Sequence, residues 1–327
     1  MPEIEFLNRI RVKASQKKKT IVLPESHDER VLRAAEILSK ENISSIITLG
    51  DEEKVRADAS GFGVDLHGIR IINPEKSEKL SDFTNIFYNL RKHKGVTIEG
   101  AKETVKKDIF FAGMMVREGM AHGSVGGSVA TTADITRAAI FCVGLGQGMS
   151  ILSSFFLMVF PDVVYSFADC AVNPNPDASQ LSDIAIATAD NHRKLTGEEP
   201  YIAMLSFSTK GSAEHELVDK VRAAVKLVQE KRPDLNVDGE LQFDAAVVDS
   251  IGKKKAPGSK VAGRANVLIF PDLNSGNIGY KIAQRLGHAE AVGPINQGVK
   301  KPFFDLSRGC SVGDIVNTAA IACLMAE

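Results

Sequence analysis

Cysteine is scarce in this sequence. Its four residues, Cys142, Cys170, Cys310 and Cys323, are scattered and form no CxxC pair. That excludes a disulfide framework and a thiolate zinc site, and it suits a reducing, cytoplasmic setting. An excess of one charge is also lacking. Forty basic residues meet 41 acidic ones, for a formal net charge of −1, so neither a nucleic-acid partner nor a membrane surface is expected. The most apolar run, ILSSFFLMVF at 151–160, is far shorter than the ~20 residues a membrane-spanning helix needs. MPEIEFLNRIRVKASQKKKT has no signal-peptide core.

Several chemistries are missing with their motifs. No GxxxxGK[ST] is present, which excludes a P-loop nucleotide site. GLGQG at 144–148 has no strand leading into it, as a dinucleotide fingerprint requires. The seven histidines show neither HExxH nor paired ligand spacing, so no metal is expected. GxSxG is absent, and a Ser-His-Asp hydrolase goes with it.

What is present is alternation. A chain of 327 residues exceeds the usual size of one core, so two domains are expected. Short β-rich runs (TIVLPE, SSIITLG, IRIIN, GSVGGSVA, YIAMLSFS, NVDGELQF, NVLIFPD) are separated by helical patterns, the mark of an α/β fold with a largely parallel sheet. DERVLRAAEILSKE, DFTNIFYNLRKHK and TIEGAKETVKKDIFFAGMMVREG read as helices, as do 178–195, 213–231, 276–286 and 312–325. Pro161-Asp162 predicts a hairpin between ILSSFFLMVF and VVYSFAD. KKKAPGSK reads as a basic loop, and a domain break is expected near 148.

Four polar clusters follow predicted strands, where α/β proteins place their ligands. They are PESHDER, ATTADITR, SFSTKGSA and PDLNSGN. Each has a structural reading as well. Ser26 or Asp28 can cap a helix, and Thr131 with Asp134 resembles a capping box. In ATTADITR, amides at the helix start could instead hold an anion. Arg30, Arg91, Arg137 and Arg308 suit phosphate, because a guanidinium donates parallel hydrogen bonds and stays charged. In DLSRGCSVGDIV, Ser311-x-x-Asp314 fits a helix N-cap. The same segment also fits a site in which Asp314 is a base, Ser307 a hydrogen-bonding group and Arg308 a stabiliser of developing charge.

Taken together, LPESHDER, YNLRKHKG, LSFSTKGSA, GELQFDAA, APGSKVAGRANVLIFPDLNSGNIGYKIAQRLG and KPFFDLSRGCSVGDIV resemble the phosphate acetyl/butyryl transferase family over nearly the whole chain. The resemblance implies reversible acetyl transfer between acetyl phosphate and coenzyme A, giving acetyl-CoA and phosphate. It also implies two α/β domains with an intervening cleft, similar to isocitrate and isopropylmalate dehydrogenases. On that pattern the first domain is 1–147 plus 297–327, the second is 148–296, and the protein is a homodimer. No tightly bound cofactor is implied, and coenzyme A is a co-substrate.

The family pattern places catalysis on Ser307, Arg308 and Asp314. It assigns acetyl phosphate to Arg91, Arg137, Thr131 and Thr132, and coenzyme A to Arg30, Ser206, Ser208 and Lys210. Phe304 departs from it, standing where the family commonly has Asn. A thiol near ~8.5 and a carboxyl near ~3.9 make full proton transfer uphill by about 6 kcal/mol. A base role for Asp314 therefore requires burial, or proton loss concerted with attack. Three other readings remain: a longer acyl group, a non-catalytic coenzyme A-binding module, and a hydroxyacid dehydrogenase. The last lacks the metal-binding carboxylates.

Overall fold

The computed structural model describes residues 2–326. The chain forms two compact units, one of Leu7–Gly146 with the chain from Val299 onward, the other of Gln147–Gly298 with the residues up to Phe6. Each builds its own sheet.

In the first unit five strands run in the order Phe303–Asp305, Gly123–Gly126, Thr20–Leu23, Ser45–Leu49, Arg70–Ile72. Every neighbouring pair is parallel. Ile21, Val22 and Leu23 are all fully buried, the pattern of a parallel strand covered on both faces. Helix Glu29–Lys40 starts at Asp28, whose carboxylate accepts the Arg30 N–H at 2.9 Å. It buries Val31, Leu32, Ala35 and Leu38 as one stripe. Helix Val312–Met325 packs on that helix and on Gly123–Gly126. Phe304 is fully buried, so its ring serves packing.

The second unit has six strands in the order Glu290–Gln297, Ser153–Val159, Val164–Ala168, Val267–Ile269, Tyr201–Leu205, Asn236–Leu241. Ser153–Val159 and Val164–Ala168 pair antiparallel across Pro161-Asp162, as the turn signal predicts, and Phe160 N–H closes on Val163 O at 2.9 Å. The three strands beyond them are parallel. A buried carboxylate pins the loop after Val164–Ala168. Asp169 accepts the N–H groups of Ala171, Val172 and Asn173, together with the Ser154 hydroxyl.

Several elements differ from the sequence reading. The long helix expected through TIEGAKETVKKDIFFAGMMVREG is two, Ile98–Val105 and Asp108–Arg117, broken where Lys107 turns extended. The first half buries only Ala101 and Val105, the second everything from Ile109 to Val116. The break leaves Lys107 exposed. GSVGGSVA is a strand only to Gly126, because Gly127 takes φ +102. Lys253, Lys254 and Lys255 of KKKAPGSK end a helix, Asp249–Lys255, rather than lying in a loop. Among the described residues no helix is long and apolar enough to cross a membrane.

Candidate functional site

Three neighbouring parallel strands of the first unit end side by side. Ile21 and Val22 pair with Gly123 and Ser124, and Asp305 pairs with Gly126. Their C-terminal ends carry the loops beginning Pro24, Gly127 and Leu306, the edge at which open α/β sheets bind ligands.

The loop Gly127–Ala130 folds around an internal carboxylate. Glu25 is 3% exposed. Its Oε2 accepts Gly127 N–H at 2.7 Å, Ser128 N–H at 2.9 Å and the Ser128 hydroxyl at 2.9 Å. Its Oε1 accepts Val129 N–H at 3.0 Å and Ala130 N–H at 2.6 Å. Such a concave run of amides is an anion site, and the chain fills it with its own side chain. A Cβ on Gly127 would meet Asp305 Oδ1 and would lie 2.8 Å from Leu306 N, so glycine is needed there for contact as well as for φ.

The loop after Asp305 is the exposed one. Ser307, Arg308 and Gly309 all lie at the surface. Ser307 Oγ accepts Gly309 N–H at 3.3 Å and has no basic partner among the described residues. The Arg308 guanidinium has no hydrogen-bond or ion-pair partner among the described residues. Cys310 is buried, and burial raises its thiol above the ordinary value despite nearby Arg30. It is therefore an inert thiol rather than a nucleophile. Asp305, at the strand end, has its carboxyl pushed up to about 6 by burial. The Thr132 hydroxyl pulls the other way, and Glu25 adds a like charge. Its Oδ1 is buried without a hydrogen-bond partner among the described residues.

Asp314 is exposed and sits in the first turn of Val312–Met325. It accepts Ser311 N–H at 2.8 Å through Oδ2 and donates its own N–H to Ser311 Oγ at 3.1 Å. The capping-box reading is thus realised, and Oδ1 has no partner among the described residues.

Arg30 reaches across all these loops. Nε and Nη2 hold the Asp28 carboxylate at 3.1 and 2.6 Å. Nη2 also donates to Ser128 O at 3.2 Å. Nη1 donates to Arg308 O at 2.7 Å and Cys310 O at 2.9 Å. These contacts use every N–H a guanidinium has. Burial pushes the Asp28 carboxyl up, but the bonds from the Arg30 side chain and backbone outweigh it and leave it below the ordinary range.

Thr131 caps helix Thr132–Ala138, with Oγ1 accepting Asp134 N–H at 3.2 Å. Exposed Arg137 lies 3.3 Å from Asp134. Arg91 stacks on the Phe141 ring at 3.7 Å, four residues after Arg137, so both arginines belong to one neighbourhood. No contact joins either to Ser307 or Arg308 among the described residues.

Ser206, Ser208 and Lys210 lie in the second unit. Ser206 Oγ accepts Ser208 N–H at 3.3 Å. Ser208 is fully buried, and its hydroxyl donates to Glu240 at 3.0 Å. Lys210 binds the Asp238 carboxylate and Gly239 O, the latter at 3.1 Å. Together they tie their loop to strand Asn236–Leu241. Sequence reasoning missed Glu25 and Asp305. Both are acids at the end of a β-rich run, but their partners lie over a hundred residues away in sequence.

Comparison with known proteins shows the family. The family model described as Phosphate acetyl/butaryl transferase matches residues 5–323. A phosphate acetyltransferase of Thermoanaerobacterium thermosaccharolyticum is 51% identical, covering 99% of this chain and 100% of its own. One from Clostridium acetobutylicum is 48% identical, covering 96% of each. A phosphotransacetylase crystal structure from Streptococcus pyogenes, 44% identical, superposes with a TM-score of 0.95 over 99% of this chain and 98% of its own. The chain is an enzyme of the acyltransferase class. It belongs to the phosphate acetyl/butyryl transferase family.

Proposed function

We propose that this chain is a phosphate acetyltransferase, moving acetyl reversibly between acetyl phosphate and coenzyme A. The observation that carries the reading is the exposed Ser307–Arg308 pair at the strand ends, with a guanidinium that no protein group occupies among the described residues. The coenzyme A sulfur attacks the acetyl carbon, the C–S bond forms, and the C–O bond to phosphate breaks. Phosphate leaves with that electron pair. Arg308, with Arg137 and Arg91, stabilises charge on the carbonyl oxygen and departing phosphate. Thr131 and Thr132 stand at the helix start that carries Arg137. Ser307 acts as a hydrogen-bonding group. Direct transfer is favoured because Ser307 lacks a base and Cys310 is a buried thiol.

Asp314 is exposed, which closes the burial route to a strong base. Its free Oδ1 positions the thiol or takes the proton in concert with attack. Of the residues expected at coenzyme A, Lys210 and Ser206 keep exposed or partly exposed atoms, whereas Ser208 supports their loop from within.

Mixing the purified protein with acetyl phosphate and coenzyme A should yield a thioester and free phosphate; no thioester would end the reading. Faster reaction with butyryl phosphate would reassign it to phosphobutyryl transfer. Four unpaired, buried cysteines suit a cytoplasmic enzyme.

A homodimer is supported by helix Leu273–Arg285. Ile278, Ile282 and adjoining Leu286, four residues apart, are 57, 54 and 76% exposed. Ile282 also lines a cavity of about 650 Å³ with Phe160, Phe167, Phe243 and Phe270. An apolar stripe beside an apolar hollow is self-complementary, as a twofold contact requires. Light scattering should give twice the chain mass, and a monomer mass would remove the dimer.

A further inference from the structure

Arg30 stands where a ligand contact was expected, yet its guanidinium is fully engaged inside the first unit. Its partners fall into three segments that meet only through the fold. Asp28 opens helix Glu29–Lys40, Ser128 belongs to the loop wrapped on Glu25, and Arg308 and Cys310 flank Gly309. The last two matter most. Both carbonyls accept from the same nitrogen, Nη1, at 2.7 and 2.9 Å. Holding the carbonyls on either side of a glycine fixes the peptide planes between them, in a turn that glycine would otherwise leave loose. The Arg308 side chain leaves the backbone at one of those planes, and Ser307 precedes it directly.

We propose that Arg30 is the positioning residue of the Ser307–Arg308 loop, a bracket that sets the direction of the Arg308 guanidinium rather than a contact for coenzyme A. The proposal rests on the reading that Ser307 and Arg308 act on the acyl group. Asp28 is the anchor of the bracket. It caps its own helix through the Arg30 N–H and grips the Arg30 side chain at two nitrogens, so the guanidinium plane is set before it meets the loop. The side chain of Asp28 is only 8% exposed, which keeps water from competing for it. Lysine at position 30 could not reproduce this, because one ammonium cannot span a carboxylate and three carbonyls in a planar fork.

The test separates positioning from binding by kinetics and by a readout independent of activity. In Arg30→Ala and Arg30→Lys, kcat should fall by about 30-fold or more, since displacing reacting groups by ~1 Å costs on the order of a hundredfold. KM for coenzyme A should stay within about twofold, because a group that makes no substrate contact carries no uniform binding. Amide hydrogen exchange across residues 307–311 should quicken in both variants. Guanidinium ion, kept below unfolding concentrations, should slow that exchange again in Arg30→Ala and restore part of kcat. Asp28→Asn, which keeps Arg30 and loosens its anchor, should show a smaller fall in kcat with the same KM, and it serves if Arg30→Ala does not fold.

A raised KM for coenzyme A with kcat unchanged would overturn the proposal in favour of a ligand contact. Unchanged exchange at 307–311 would overturn it as well. Inactivity of the wild-type protein toward acetyl phosphate and coenzyme A would instead remove the proposed function, and the exchange experiment would still decide whether the bracket holds the loop.

Discussion

Replacing Arg308 with glutamine should lower kcat by about 10²–10³-fold, the usual cost of removing one donor aimed at developing charge, while leaving the protein as stable as before. The two halves of that expectation come from the same geometry. The side chain is exposed and has no protein partner among the described residues, so its loss should move stability by no more than about 0.5 kcal/mol. What the fold uses at this position is the backbone carbonyl that receives Arg30 Nη1, and glutamine keeps it. Arg308→Lys should retain part of the rate, keeping the charge without the fork. Steady-state kinetics beside a thermal melt checks both. A kcat within twofold of wild type would show that the exposed guanidinium does not act on the reaction.

The second large effect is one of stability. Glu25→Ala should destabilise the first unit by about 3–5 kcal/mol, because several hydrogen-bond donors lose their shared acceptor at once. Four backbone N–H groups and a hydroxyl converge on this carboxylate, and each buried donor left unpaired costs roughly 1–3 kcal/mol before relaxation or water entry reduces it. Glu25→Gln should recover little. Both carboxylate oxygens accept, so an amide must point its NH₂ at donors on one side. Denaturant midpoints would measure the loss, and a shift worth less than about 1 kcal/mol would mean the loop closes without its internal acceptor.

Much of the fold is legible in the sequence where periodicity is strong. The β-rich runs appear as parallel strands, Pro161-Asp162 turns a hairpin, and Asp28, Thr131 and Ser311 all cap the helices that follow them. The illegible parts have physical reasons. Phe303–Asp305 is three residues long, and Glu290–Gln297 holds a Gly-Pro pair and polar residues that suit only an edge strand. Helix Pro2–Lys17 shows its stripe in buried Phe6, Leu7, Ile10 and Ala14, a signal that a search for a signal peptide alone passes over.

The site divides in the same way. Ser307, Arg308 and Asp314 lie in one short segment, so a local pattern can single them out as candidates. The link from Arg30 to Cys310 spans 280 positions, and that from Glu25 to Ala130 spans 105. No spacing rule reaches so far. Arg30, which looks like an anion binder in the sequence, is satisfied within the fold, whereas the Arg308 guanidinium has no partner among the described residues.

The central claim is that acetyl passes straight from phosphate to sulfur, with no protein atom acylated on the way. Incubating the protein with acetyl phosphate and radiolabelled phosphate, without coenzyme A, tests it most directly. Direct transfer predicts no label in acetyl phosphate until coenzyme A is added. Label appearing in acetyl phosphate without coenzyme A would require an acetyl-enzyme and would contradict the account.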